Sequence, residues 1–251
     1  MYKYKVYFIE IMNILDFDFT IKQDQFDIVK KILTNDKQRK YLIDGNIGAG
    51  KTTLVKLLET SLNSQGIKTK AIFEPVDVWR NVGALQYFYD DIVNHSYEFQ
   101  TFTFITRIKN VIEDILNNQD AEIYLFERHI WSDRYIFGAL LKEQFGDVRF
   151  KMYEMWWDMW AYIFPLKATK WILLDTDVIT AYKRIAERNR EEEKTNISME
   201  YLMKLNIKQH EFYNNLIIKN ENVLIIQNVL MSNDFIHNKE YLDNIEQLIL
   251  K

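Results

Sequence analysis

Eight consecutive residues match the phosphate-binding loop pattern G-x-x-x-x-G-K-[ST] at every fixed position: Gly45, Asn46, Ile47, Gly48, Ala49, Gly50, Lys51 and Thr52. Glycines adopt backbone angles closed to other residues, so successive N–H groups can turn inward around a polyanion at the start of a helix. Lys51 can then bridge the outer phosphates, the Thr52 hydroxyl can ligate Mg²⁺, and we count the following Thr53 with the loop. The pattern predicts binding of ATP with Mg²⁺ and leaves the second substrate open, because several enzyme classes share this loop.

Two acidic residues lie at the ends of other predicted strands. Glu74 precedes Pro75, which restrains the backbone before it, so a rigidly held carboxylate near the phosphate loop could accept the proton of an attacking alcohol. Glu127 ends an apolar run and could orient Mg²⁺, while the adjacent Arg128 could stabilise charge on a phosphoryl group in transfer. The alternatives are a solvated loop glutamate at position 74 and a structural set of ion pairs within residues 127–134.

Three arginines form a candidate lid over the phosphates. Arg184 and Arg188 are four residues apart and share a face if they lie on a helix, and Arg190 follows. We predict that all three lie on one helical segment that closes over ATP. A salt-bridged face in solvent is the alternative.

The elements that must position these residues are five short apolar runs that alternate with long amphipathic segments. This rhythm is typical of a parallel sheet flanked by helices. The predicted strands are 41–43, 70–73, 123–126, 171–174 and 223–226. Four of them are followed at once by polar or charged groups, and ligands bind beyond the carboxyl ends of the strands in such sheets. We therefore expect an α/β fold with its site at that edge.

Composition narrows the class of protein. Among 251 residues, 32 Lys and Arg stand against 36 Asp and Glu, so the net charge of −4 gives no basic field for nucleic acid. The longest uninterrupted apolar stretch, 159–164, is far shorter than the ~20 residues that cross a bilayer. The absence of cysteine excludes disulfides and thiolate zinc sites. We predict a cytoplasmic protein with a small-molecule substrate and neither nucleic acid nor membrane as partner.

In their order along the chain, these motifs resemble those of the deoxynucleoside kinase family, which includes deoxycytidine, deoxyguanosine and mitochondrial thymidine kinases. The resemblance runs from about residue 41 to residue 213, and its anchors are 44–52, 74–76 with Trp79, 99–102, 127–128 with 132–137, 188–193 and 200–202. It implies a P-loop kinase fold with a parallel five-stranded sheet between helices. It also implies a homodimer and ATP-dependent phosphorylation of the 5′-hydroxyl of deoxynucleosides in nucleotide salvage.

The resemblance further implies a role for each matching residue. Glu74 resembles the base for the 5′-hydroxyl, Arg128 its companion, and Glu127 the residue that serves Mg²⁺ with Thr52; Lys51 completes the catalytic set. The residues implied to bind the nucleoside are Glu74, Trp79, Tyr89, Phe99, Gln100, Thr103, Arg107, Arg128, Asp133, Phe137 and Glu193. Among these, Gln100 matches the amide that reads the base edge, Phe99 and Phe137 match rings that sandwich the base, and Tyr89 and Glu193 match groups that hold the sugar 3′-hydroxyl.

Base preference is suggested by Arg107 and Asp133. Arg107 lies seven residues after Gln100, so on a helix both can face one pocket. This pairing resembles family members that act on deoxycytidine and purine deoxynucleosides, so we expect these to be preferred and thymidine to be a poor substrate. One departure is His129, which stands where the family usually has serine.

The remaining chain carries less information. Residues 1–40 match no motif, and we predict a strand or arm followed by a helix, packed on a kinase domain of residues 41–251. The aromatic stretch 153–164 reads as a core helix, with a subunit interface as the alternative. Two rival functions remain: a nucleoside monophosphate kinase, and a catalytically silent nucleotide-binding member of the family.

Overall fold

The computed structural model describes residues 22–188, 190, 197–228 and 239–251. Its centre is a parallel sheet with the strand order β2-β3-β1-β4-β5. The strands are β1 (Arg39–Gly45), β2 (Thr69–Ile72), β3 (Ile123–Glu127), β4 (Lys170–Thr176) and β5 (Val223–Asn228). Each predicted strand overlaps an observed one, and the boundaries differ by at most two residues. The predicted α/β fold is therefore confirmed.

Helices connect the strands and cover both faces of the sheet. In the described part of the chain they are α1 (Gln23–Thr34), α2 (Lys51–Ser64), α3 (Val76–Asn81), α4 (Ala84–Asp90), α5 (Ile92–Asn117), the short α6 (Ile130–Ser132), α7 (Lys142–Ile163), α8 (Val178–Glu187), α9 (Met199–Ile218) and α10 (Lys239–Leu250). A π-helical turn, Asp133–Gly138, follows α6 directly. Three helices begin at side chains that cap a backbone N–H, namely Asp91 for α5, Asp177 for α8 and Ser198 for α9.

Side chains of β1 alternate between the two layers of the core. Tyr41 and Ile43 pack in a cluster that includes Leu54 of α2 and Ile245 of α10. Leu42 points to the opposite face, into a cluster formed largely by α1, α5, α7 and α9. Because neighbouring strand residues point to opposite faces, one apolar run serves both layers. This explains why the strands read as continuous apolar segments in the sequence.

A third cluster lies apart from the sheet and forms the wall of a cleft. It joins α3 and α4 to α5 and α7 through aromatic side chains such as Trp79, Phe88, Phe99, Phe145 and Tyr153. These residues are all at most 7% exposed. The wall of the cleft is therefore supported by tightly packed, buried aromatic side chains.

The N-terminal part of the described chain packs on the sheet. Val29, Ile32 and Leu33 of α1 are buried in the core, as expected for the predicted helix. Lys40 of β1 donates from Nζ to the backbone oxygens of Ile32, at 3.2 Å, and Asn35, which fixes the end of α1. The strand or arm predicted before this helix lies outside the described residues.

The aromatic stretch in α7 serves the core only in part. Tyr153 and Trp157 are 2% and 5% exposed, whereas Met155 and Trp156 are 64% and 49% exposed. The helix thus presents a buried face and a separate apolar face to solvent. No helix in the described ranges is both long and apolar enough to cross a lipid bilayer.

Candidate functional site

One cleft of about 560 Å³ opens at the carboxyl edge of the sheet. The phosphate loop forms one side of it, and the wall built from α3, α4 and α5 forms the other. Side chains that follow β2 and β3 lie between these two sides. Residues separated by more than a hundred positions are therefore brought to a single space, as expected for a parallel sheet.

The phosphate loop requires glycine where its backbone turns. Gly48 has a φ of 81°, and a Cβ there would lie 2.3 Å from the backbone oxygen of Ala181. Gly50, the residue before α2, has a φ of 97°. The predicted loop residues that line the cleft are Ile47, Gly48, Gly50, Lys51, Thr52 and Thr53. Gly45, Asn46 and Ala49 are buried behind them and support the loop through their backbone.

Lys51 folds back on its own loop. Its Nζ donates to the backbone oxygens of Gly45, at 3.1 Å, and Asn46, at 2.9 Å. Burial lowers the pKa of Lys51 to about 8, and the charge of Arg128 acts in the same direction. A phosphate group in the loop would favour the charged ammonium, so anion binding and lysine protonation reinforce each other.

Thr52 and Glu127 bring two side-chain oxygens together at the loop. The Thr52 hydroxyl donates to Glu127 Oε1 at 2.7 Å, although 75 residues separate them. Burial raises the pKa of Glu127, and the nearby Glu74 charge adds to this effect. A bound cation would favour the ionised carboxylate, and hydroxyl and carboxylate oxygens suit Mg²⁺. The donor set thus fits the predicted ion.

Glu74 is an ionised carboxylate held by two arginines. Its Oε1 accepts from Arg107 Nη2 at 2.9 Å and lies 3.4 Å from Arg128 Nη1. Burial alone would raise the pKa of Glu74, but Arg128, Arg107 and Lys51 outweigh it and hold the pKa at about 2. Its side chain is 10% exposed, so the alternative of a solvated loop glutamate is wrong.

Arg128 joins the loop, the carboxylate and the aromatic wall. It has a φ of 62°, a conformation that costs side-chain-bearing residues about 1–3 kcal/mol and persists where surrounding contacts fix it. Nη2 donates to the Gly45 oxygen at 2.9 Å, Nε lies 3.3 Å from Asp44 Oδ1, and the guanidinium lies 4.6 Å from the ring centre of Phe137. Asp44, to which we assigned no role from the sequence, also accepts a hydrogen bond from the Ser132 hydroxyl.

As an alternative, we expected residues 127–134 to form ion pairs with one another. In the described chain, the charged residues of this segment pair with residues outside it. Arg128 pairs with Asp44 and Glu74, and Asp133 pairs with Arg107. Arg134 pairs with Glu154 of α7. The segment instead connects outward to β1, α5, α7 and the loop after β2, which fixes its position.

Polar groups of the cleft wall come from α5 and the π-helical turn. Arg107 donates to Asp133 in a fork, from Nε at 2.8 Å and from Nη2 at 3.1 Å. Gln100 Oε1 and Arg107 Nη1 are buried and have no hydrogen-bond partner among the described residues. Both side chains line the cleft, together with Thr103. An acceptor and a donor that are both unpaired and belong to the same cleft fit the edge of a heterocyclic base.

Aromatic residues complete this wall. Trp79, Tyr89, Phe99 and Phe137 line the cleft, as does Phe88, which stacks on Phe99 with ring centres 4.5 Å apart. Glu193, the other group predicted to hold the sugar, lies outside the described residues.

Phe88 and Tyr201 are lining residues to which we assigned no role from the sequence. A signal for Phe88 was present, because Leu85, Phe88 and Tyr89 have the spacing of one helix face. Burial raises the pKa of Tyr201 to about 12, so its hydroxyl stays protonated as a hydrogen-bond donor.

The three lid arginines line the cleft, but the prediction of a single helix is wrong. Helix α8 ends at Glu187, and Arg188 has extended backbone angles, φ −78° and ψ 143°. Two like charges four residues apart, Arg184 and Arg188, oppose continuation of the helix. Arg184 stays on the helix and donates to the Ala49 oxygen at 3.2 Å, while Arg188 and Arg190 reach the cleft from the segment that follows.

His129 is buried beside Arg128 at the end of β3. It is 4% exposed, and its ring meets Phe126 edge-on at 5.7 Å. Burial lowers the pKa of His129 to about 3, with a further contribution from the Arg107 charge. The imidazole is therefore neutral and fills space at the end of β3.

Comparisons with known proteins agree with this geometry. The model of the family described as deoxynucleoside kinase matches residues 41–251. A probable deoxycytidine kinase of Fowlpox virus (strain NVSL) is 34% identical over 69% of this chain and 71% of its own length. Mitochondrial deoxyguanosine kinase of Xenopus laevis is 30% identical over 69% of this chain and 72% of its own.

Deoxycytidine kinase of Homo sapiens is 28% identical over 85% of this chain and 89% of its own length. The family model covers the phosphate loop, the cleft wall and the lid, and the order of these parts along the chain is the one expected from the resemblance. On its sequence and on the architecture of its cleft, the chain belongs to the deoxynucleoside kinase family.

Proposed function

We propose that this enzyme transfers the γ-phosphoryl group of ATP to the 5′-hydroxyl of a deoxynucleoside, in nucleotide salvage. The observation that carries the proposal is the single cleft, which is lined by Lys51 of the phosphate loop, by Glu74 and by the buried polar groups of Gln100 and Arg107. Such a cleft can hold a polyphosphate, an alcohol and the edge of a base at the same time. The names of the relatives support the same substrate class.

The reaction forms a bond from the 5′-oxygen to the γ-phosphorus and breaks the bond from that phosphorus to the β-phosphate oxygen. Glu74 accepts the hydroxyl proton, and the products are a nucleoside 5′-monophosphate and ADP. Lys51 and Arg128 place positive charge beside the transferring group. Mg²⁺, held by Thr52 and Glu127, would offset charge on the β- and γ-phosphate oxygens.

Glu74 is a weak base, because three cations lower its pKa to about 2. In phosphoryl transfer through a loose transition state the alcohol makes little bond to phosphorus, and its proton leaves late. The position of the carboxylate then matters more than its basicity. The two arginines on Oε1 fit this requirement, because they fix one oxygen of the carboxylate and thereby restrict the orientation of the other.

The buried pair of Arg107 and Asp133 favours purine deoxynucleosides or deoxycytidine over thymidine. A cytosine or purine edge offers donors and acceptors to Gln100 Oε1 and Arg107 Nη1, which have no other partner in the described chain. The methyl group of thymine would instead lie against charged, desolvated groups and leave them unsatisfied.

A homodimer is the assembly that we propose. The solvent face of α7 carries Met152, Met155, Trp156 and Met159, each at least 40% exposed. Large apolar side chains grouped on one helix face are typical of a protein interface.

The rival functions give different products in one assay. We would incubate the enzyme with ATP carrying a radiolabel on the γ-phosphate and with each of four deoxynucleosides, each of their 5′-monophosphates, or no acceptor. We expect label in deoxynucleoside 5′-monophosphates, with thymidine the slowest acceptor. Faster labelling of monophosphates would favour a monophosphate kinase, and ATP binding without any transfer would favour the silent member.

A further inference from the structure

Arg107 contacts two acidic side chains that serve different parts of the cleft. It donates to Asp133 from Nε and Nη2, and the same Nη2 donates to Glu74 Oε1 at 2.9 Å. The side chains of Arg107, Asp133 and Glu74 are 4%, 2% and 10% exposed. Water screens contacts between such buried charges only weakly. One guanidinium therefore bridges the wall that reads the base and the carboxylate that accepts the proton.

One nitrogen of this guanidinium is not used within the described chain. Nη1 is buried without a hydrogen-bond partner in the described chain, and Arg107 lines the cleft. A guanidinium is planar and rigid, so a base that accepts from Nη1 also fixes the direction of Nη2. The orientation of Glu74 is then coupled to occupancy of the base site.

We propose that Arg107 is a positioning residue for Glu74, so that one side chain both recognises the base and aligns the proton acceptor. The inference rests on the proposed function, because it assigns Glu74 to the 5′-hydroxyl. Loss of Arg107 has two opposed effects on turnover. It makes Glu74 more basic, and it releases one of the two arginines that orient Oε1. The late departure of the proton makes basicity the smaller effect, so turnover falls.

A substrate without a base separates positioning from base recognition. The test uses 1,4-anhydro-2-deoxyribitol, the sugar with hydrogen in place of the base, as acceptor for Arg107→Lys and for the matched variant Gln100→Ala. Lysine keeps a cation opposite Asp133 but lacks the fork that reaches both carboxylates. We expect Arg107→Lys to lower kcat on the base-free sugar by about tenfold or more. The loss caused by Gln100→Ala is confined to substrates that carry a base.

The pH profile gives a second readout with an ordinary deoxynucleoside. Arg107→Met combined with Asp133→Leu removes both partners of the buried pair, so no unpaired charge is left to unfold the protein. The other charged groups around Glu74, namely Arg128, Lys51 and Glu127, remain. Loss of the Arg107 cation raises the pKa of Glu74, and loss of the more distant Asp133 opposes this only in part. The acid limb of kcat therefore moves to higher pH, by about one unit.

Two results would overturn the inference. The first is equal turnover of the base-free sugar by the wild type and by Arg107→Lys. If that sugar reacts too slowly to measure, the second is a pH profile of kcat whose acid limb lies at the same pH in the wild type and in the double variant. An enzyme that phosphorylates deoxynucleosides but gives either result retains the proposed function and loses only the positioning role. Failure of the wild type to phosphorylate any deoxynucleoside would reject the proposed function itself.

Discussion

At the scale of single residues, the proposed chemistry depends on a carboxylate surrounded by cations. Glu74 lies in direct contact with Arg107 and Arg128, and Lys51 adds its charge. Acidic and basic residues separated by 33 and 54 positions in the sequence meet here. The sequence indicated Glu74 and Arg128 by their place at strand ends, but no spacing rule indicates a contact between Arg107 and Glu74, because it depends on how α5 packs beside β2.

Replacement of Glu74 tests its role in proton transfer. Glu74→Gln keeps the shape of the side chain and an oxygen for the arginines but cannot accept the proton. We expect turnover to fall roughly 100-fold or more, the scale for loss of a general base. ATP binding, measured by calorimetric titration, should persist because the phosphate loop is unchanged. A variant with near-normal turnover would remove Glu74 from this role.

The pair of Arg107 and Asp133 sets the prediction for base preference. Changing both to apolar residues, Arg107→Met with Asp133→Leu, removes the groups that a thymine methyl cannot satisfy. We expect the ratio of kcat/KM for thymidine to that for deoxycytidine to rise by about tenfold or more, since a buried unpaired polar group costs 1–3 kcal/mol. An unchanged ratio would mean that the base binds elsewhere.

At the scale of elements, the sheet edge and the phosphate loop position Lys51, Glu74 and Arg128, whereas α5 and the π-helical turn position Arg107 and Asp133. The strands were predictable because buried parallel strands form short apolar runs between polar residues. The loop was predictable because only certain residue types fit its backbone. The end of α8 at Glu187 was not predictable in the same way. Arg184 and Arg188 have a helical spacing, but that spacing does not reveal that repulsion between their charges opposes a further helical turn.

Two glycines with almost the same backbone angle test the close packing of the loop. Gly48 has a φ of +81° and Gly66 has a φ of +82°. A Cβ added at Gly48 would lie 2.3 Å from the backbone oxygen of Ala181, whereas a Cβ added at Gly66 would have no atom within 4 Å. Alanine at either position carries the same backbone strain, about 1–2 kcal/mol. We expect Gly48→Ala to abolish measurable ATP binding and Gly66→Ala to retain it. Equal binding by the two variants would contradict the described loop.

At the scale of the whole molecule, we propose functions for the cleft and for the apolar solvent face of α7 in the described part of the chain. The cleft belongs to the proposed reaction, and the solvent face of α7 belongs to the proposed dimer. A cytoplasmic location stays a prediction from composition. Residues 1–21 and 191–196, which include the predicted arm and Glu193, lie outside the described structure.

A charge on the α7 face tests the dimer. Trp156→Glu places a carboxylate at a side chain that is 49% exposed, so it should leave the fold of the monomer intact and separate the subunits. Ile218→Glu, at the exposed end of α9, is the matched control, since its side chain is 76% exposed and lies on another helix. Sedimentation equilibrium should give a monomer for the first variant and the wild-type mass for the second. A wild-type enzyme that is itself monomeric would reject the proposed dimer.

The central claim is that a sugar alcohol and the terminal phosphate of ATP meet within one cleft. The most direct measurement compares 2′-deoxycytidine with 2′,5′-dideoxycytidine as acceptors of radiolabelled γ-phosphate. We predict labelled deoxycytidine 5′-monophosphate from the first and no labelled nucleotide from the second, which lacks the attacking hydroxyl. Transfer of label to both compounds would contradict this account. So would the absence of label from both compounds and from every other deoxynucleoside.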